Sequence, residues 1–110
     1  MDLYKKEFGA QFELGFDLTK YGWLTDKSWH NDVCPSFTYK TRDGYFILWV
    51  DFIDIESREL EQCRYTVTNA INEGDEEHPE VYSSNDGIAI FSSDHGYDLI
   101  EFLDSLVNVD

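Results

Sequence analysis

The chain has 110 residues, with 23 Asp/Glu against 8 Lys/Arg for a formal net charge of −15, yet 42% of it is hydrophobic and 16% aromatic. That length and apolar content predict a single acidic globular domain over residues 1–110 with its own core, and they exclude a disordered acidic tail. No apolar run approaches the roughly 18 residues of a membrane span, and no apolar stretch follows Lys5 and Lys6 to make a leader.

Cys34 and Cys63 are too few for a disulfide framework, so free thiols and a cytoplasmic setting are expected. The charge is lopsided. Residues 1–43 hold seven acids and six Lys/Arg, a net of −1, whereas residues 44–110 hold sixteen acids against Arg58 and Arg64, a net of −14. Solubility asks for a magnitude of only about 2 to 8 in a small domain, and self-repulsion beyond that costs stability.

From Phe8 to Leu18 the even positions are apolar (Phe8, Ala10, Phe12, Leu14, Phe16, Leu18), a period of two that predicts a half-buried strand. Thr19 to Pro35 follows neither period and carries Tyr21, Trp23 and Trp29. It reads as a long ordered loop with a helical turn after Thr25 or Asp26. Ser36–Lys40 is a short strand, and Asp43-Gly44 a hairpin turn into the central strand of Tyr45–Glu56. The first six residues of that run are apolar, as in a strand covered on both faces. Asp51 interrupts its odd-numbered row, which calls for a bulge or a hydrogen-bonded buried carboxylate.

Ser57–Gln62 is a charged connector, and Arg64–Ile71 alternates again as an edge strand able to pair with a second copy, so monomer and homodimer both stand. Asn72–Glu80 is an exposed acidic loop. Val81–Ser84 and Ile88–Ser92 read as a hairpin across Asn85-Asp86-Gly87. Ser93 or Asp94 caps a terminal helix with Leu99, Ile100, Leu103, Leu106 and Val107 on one side. Asp98, Glu101 and Asp104 share the opposite side with no Lys or Arg among them, at a repulsive cost of roughly 0.2–0.5 kcal/mol per pair. The expected fold is α+β: an antiparallel sheet of five to six strands, one C-terminal helix packed on a face, and a long aromatic-rich loop after the first strand.

No motif names an enzyme. His30 and Cys34 are spaced like a base and nucleophile, but no hydrolase signature surrounds them and Pro35 follows directly. His30, Cys34, Cys63, His78 and His95 lack the paired spacing of a zinc site, and Gly74 is misplaced for an EF-hand. A glycine-rich phosphate loop is missing, and direct nucleic-acid binding conflicts with the charge. No metal or cofactor is therefore expected.

What remains is the acid itself. In size, acidity and lack of enzymatic motifs the chain is similar to small phage or plasmid inhibitors that imitate nucleic acid, such as anti-restriction and anti-CRISPR proteins. That resemblance implies a non-enzymatic inhibitor bound to the basic nucleic-acid-binding surface of a host defence complex. The expected contacts are Glu59, Glu61, Asp75, Glu76, Glu77, Asp98, Glu101 and Asp104, with Trp23 and Trp29 as aromatic anchors. An immunity protein that neutralises a basic toxin nuclease uses the same electrostatics. A Cys/His enzyme or zinc protein built on His30 and Cys34 is the third possibility.

Overall fold

The computed structural model describes residues 2–84 and 88–107. Its elements are helix α1 (Leu3–Phe8), strands β1 (Thr25–Asp26), β2 (Ser36–Thr41), β3 (Gly44–Val50), β4 (Tyr65–Asn72), β5 (Val81–Ser83) and β6 (Ala89–Ser93), and helix α2 (Gly96–Val107). The sheet is antiparallel throughout, in the order β1-β2-β3-β4, with β5 and β6 both paired to the far side of β4. The α+β class, the six strands and the C-terminal helix agree with the sequence pattern.

Side-chain alternation sorts the sheet into two faces. The registers Phe37↔Leu48, Leu48↔Val67 and Val50↔Tyr65 put these residues in one layer, where all are buried together with Leu99 and Leu103 of α2. Each fully buried leucine contributes about 2 kcal/mol of hydrophobic stabilisation. Phe91 of β6 stacks on Phe102 of α2 with ring centroids 4.5 Å apart, fixing how the helix lies on the sheet. The other face carries Trp49 beside Thr66 and Ile47 beside Thr68; Ile47 is buried there, while Trp49 is half-buried and lines an open hollow with the two threonines.

Several expectations fail, each for a physical reason. The central strand expected over Tyr45–Glu56 ends at Val50, because the Asp51 carboxylate is drawn inside by the Phe52 N–H and the Gln62 amide and the chain then turns at Ile55–Ser57. Phe8–Leu18 is not a strand, because Gly9 and Gly15 take φ of 112° and 82°, outside extended backbone. The chain instead leaves α1 through a turn in which Phe12 N–H donates to Gly9 O (3.1 Å). Leu14 is still buried and Phe12, Phe16 and Leu18 still pack on the core. The alternation therefore recorded burial without recording a strand.

Thr25 and Asp26 form β1 where a helical turn was expected. The turn comes earlier, at Leu18–Lys20, with the Asp17 side chain accepting from Thr19 N–H. Val81–Ser83 and Ala89–Ser93 do not pair with each other, since both pair with β4 as two pieces of one interrupted strand; the turn expected at Asn85–Gly87 lies outside the described residues. That arrangement also makes β4 an interior strand instead of an edge open to a second copy.

In α2, Ile100 is exposed although its spacing matches Leu99 and Leu103. Neither expected cap flanks the helix, since α2 begins at Gly96 and its first backbone bonds run to His95 O; the Ser93 hydroxyl, at the end of β6, accepts from His95 N–H (3.1 Å) and donates to Asp98 (2.7 Å). Asp94 is turned elsewhere. No helix among the described residues is long and apolar enough to cross a membrane.

Candidate interaction surface

The connector between β3 and β4, residues 51–64, is where the acid of the second half begins. Its base is closed by Asp51, which is 1% exposed. One carboxylate oxygen accepts from Phe52 N–H (2.8 Å) and the other from the Gln62 amide (2.7 Å), while Asp51 N–H donates to Arg64 O (2.6 Å). This is the hydrogen-bonded buried carboxylate that the broken apolar row required.

Above it the Arg58 side chain is 5% exposed. Its guanidinium donates to the carbonyls of Phe52 (2.7 Å), Gln62 (2.9 Å) and Ile53 (3.3 Å), and to Asp94 (3.1 Å). Asp94 also accepts from Arg64 N–H (2.9 Å), so this one carboxylate ties the connector to the start of α2. The Arg64 N–H and the Arg58 guanidinium hold the Asp94 carboxyl below its ordinary range. Asp54 caps the turn Ile55–Ser57 by accepting from Glu56 N–H (3.0 Å).

Pinned from within, the segment faces outward with Asp54, Glu56, Glu59 and Glu61 all exposed. Between them Ile53, Ile55 and Leu60 are exposed as well, which the charge pattern gave no reason to expect. The signal was in the sequence: I-D-I-E followed by E-L-E interleaves aliphatic residues with acids where a plain solvated connector needs none.

The depressed Asp94 pKa fixes the sign of one pH effect. A carboxylate held below its unfolded value of about 4 contributes stability that is present above that pH and lost as pH falls through the folded value. The stability gap between wild type and Asp94→Asn is therefore expected to be flat above pH 5 and to close below pH 4. Its plateau is about 1 kcal/mol, kept small by solvent screening of a half-exposed group. Urea titrations at stepped pH measure it, and a gap that widens in acid would contradict the pairing.

On α2, Glu101 and Asp104 are exposed and Asp98 is half-buried against Ser93. Asp104 accepts from the Tyr21 hydroxyl (2.8 Å), joining the helix to the aromatic loop. Burial and that carboxylate push the Tyr21 hydroxyl up to about 12. Asp75, Glu76 and Glu77 lie on the β4–β5 loop, which Asn72 shapes by accepting from Gly74 N–H and Glu80 N–H, each at 2.9 Å. Glu76 faces Lys40 at 4.0 Å.

The expected contact residues thus fall into two groups. The connector and the start of α2 are joined at one end of β4 through Asp94. The β4–β5 loop lies at the other end, about 23 Å away along the strand.

Trp23 packs edge-on between Tyr21 (5.9 Å) and Tyr39 (5.4 Å) and is 38% exposed. It shares a cleft with Lys27, Lys40 and Glu76, and so belongs with the β4–β5 loop. Trp29 is exposed beside His30, whose ring meets Glu7 at 3.0 Å. That contact holds the Glu7 carboxyl below its ordinary range.

Cys34 is fully buried, and burial together with Asp51 and Asp32 pushes its thiol far up, away from the thiolate that a nucleophile or zinc ligand must supply. No group of three metal-ligating side chains occurs among the described residues. Alkylation of native protein is expected to modify half-buried Cys63 and spare Cys34 until denaturant is added; rapid modification of native Cys34 would restore the His30–Cys34 pairing as a candidate site.

Sheet order carries the sequence split of charge into space in part, with Lys27 and Lys40 still sharing a cleft with Glu76 of the β4–β5 loop. Lys5, Lys6, Lys20, Lys27, Lys40 and Arg42 all sit on α1, the aromatic loop, or the β1–β2 side and its hairpin. On the β4 side both arginines are spent internally: Arg58 as above, and Arg64 by donating to Glu13 O (2.8 Å) with its guanidinium 5.0 Å over the Tyr65 ring. Comparison of the chain with protein-family models, with curated proteins and with solved structures gives no match.

Proposed function

We propose that the chain is a non-enzymatic inhibitor of the nucleic-acid-mimic type, which sets its acidic half in the basic nucleic-acid-binding groove of a protein such as a CRISPR or restriction complex. One observation carries this reading: Arg58 is buried and pairs with Asp94, and Arg64 is held on Glu13 O over the Tyr65 ring, so among the described residues neither arginine pairs with the other acids of that half. Among the described residues the sole lysine within ion-pair distance of them is Lys40, at 4.0 Å from Glu76. A surface meant only for solubility gains by interspersing both signs. Keeping one sign outside, at the cost of repulsion along α2, favours a positive target.

The dimensions agree with that target. The longest extent of the molecule, 36 Å, is close to one turn of duplex, about 34–36 Å. Its two acidic groups, about 23 Å apart along β4, give a basic groove two places to hold.

The test is a panel of purified Cas effector complexes and restriction enzymes, each assayed for binding of its own duplex with and without the chain. At least one member is expected to lose its duplex in competition with the chain, with the effect weakening by tenfold or more between about 50 and 200 mM salt. Unchanged duplex binding across the panel at low salt would overturn the reading.

A further inference from the structure

Beside the connector lies an apolar groove of about 300 Å³, walled by Phe8 and Phe12 on one side and Phe52 and Ile53 on the other, with Glu13 and Asp54 also lining it. The walls are preformed. Phe12 packs partly on the core and meets Phe52 edge-on at 5.1 Å. The carbonyls of Phe52 and Ile53 are the ones the Arg58 guanidinium holds. Ile53 in that wall is 56% exposed, and Ile55, two residues on in the same connector, is 71% exposed, on a segment too well fastened for that exposure to be fraying.

A volume at the lower bound of small-molecule sites, open to solvent, suits one protruding side chain better than an enclosed ligand. Exposed aliphatic residues rimmed by charge mark a protein contact. The charges that line it decide which kind: the carboxylates of Glu13 and Asp54 repel phosphate and anionic headgroups and attract ammonium and guanidinium.

We propose that this groove receives an aliphatic side chain carried on a Lys/Arg-rich segment of the protein partner, the Phe walls burying the anchor while the carboxylates pair with the cations around it. The inference rests on the proposed inhibitor function and deepens it: charge brings a basic partner in, and the groove selects, among basic partners, one with an apolar residue at the right place.

The experiment needs no identified partner. Two peptides of equal length and charge, one Lys/Leu and one Lys/Ser, are titrated into the isotope-labelled chain and followed by NMR. The Lys/Leu peptide is expected to bind at least about tenfold tighter, as burial of one aliphatic side chain provides, with shifts concentrated at Phe8, Phe12, Phe52 and Ile53. A double variant, Ile53→Ser with Ile55→Ser, alters exposed positions only and is expected to erase that preference while leaving the Lys/Ser affinity as it was. Equal affinity for both peptides, or shifts centred elsewhere, would overturn the groove. A preserved Leu preference combined with no displacement of duplex from the enzyme panel would sink the inhibitor reading and leave the groove standing, so the two failures are distinguishable.

Discussion

Replacing Arg58 by alanine is expected to destabilise the protein by about 2–4 kcal/mol, from the hydrogen bonds and the buried stem lost with the guanidinium. Three effects add in the same direction. Carbonyls of Phe52, Gln62 and Ile53 lose their donor, and a buried acceptor left unpaired costs about 1–3 kcal/mol. The aliphatic stem of a side chain only 5% exposed leaves a void. Asp94 loses its arginine partner and keeps the Arg64 N–H, in a half of the chain that then holds sixteen acids and one arginine.

Against a total of about 5–15 kcal/mol for a domain this size, such a loss brings the chain near the edge of folding. Arg58→Lys is expected to recover little, because one ammonium cannot fork to carbonyls on both sides of it. Urea unfolding monitored by tryptophan fluorescence measures both variants; a loss below about 1 kcal/mol, typical of a surface ion pair, would mean that the connector is not held from inside.

Gly15→Ala is the second large effect, about 2–4 kcal/mol. Gly15 has φ of +82°, where a side chain adds roughly 1–3 kcal/mol of strain. An added Cβ would also run into the Tyr65 hydroxyl and the Arg64 guanidinium. That hydroxyl is buried and donates to Leu14 O (2.7 Å), the bond that fastens the 9–18 segment to the sheet. The collision makes the two sites interdependent. Tyr65→Phe alone is expected to cost about 1–2 kcal/mol by leaving Leu14 O unpaired, but in the Gly15→Ala background it removes one clashing atom. The double variant should therefore be more stable than the sum of its parts by about 1 kcal/mol, and strict additivity would contradict the close approach.

Apolar alternation located most of the sheet. It sufficed for β2, β3 and β4 because each buries a row of side chains that only a strand can place on one side. It misled at Phe8–Leu18, where the same row is buried by a turn-rich chain, and the warning lay in Gly9 and Gly15 at odd positions. The chain at Val81–Ser93 was mispaired because turn chemistry at Asn85–Gly87 suggests a hairpin, and local sequence carries no sign that β4 offers one edge long enough for both pieces.

For the acidic surface, composition reported the amount of charge but not its compensation. Arg58 and Arg64 enter the composition only as two positive charges, and where their guanidinium groups point is set by the fold. Asp94 read as a helix cap for the same reason: at that spacing it is a good one, and only the folded chain brings Arg58 and the Arg64 amide to it. Long-range hydrogen bonds of this kind leave no periodicity to read. The groove at Phe8, Phe12, Phe52 and Ile53 joins residues some forty positions apart in the chain and was equally out of reach.

The most direct measurement takes the panel enzyme that loses its duplex and compares wild type with a variant carrying Glu59→Gln, Glu61→Gln and Glu101→Gln, across a series of salt concentrations. All three positions are exposed, so the substitutions remove no core packing. The variant is expected to bind at least about tenfold more weakly at low salt, with an affinity that declines less steeply as salt is added. Equal affinity and an equal salt slope for the two proteins would contradict it.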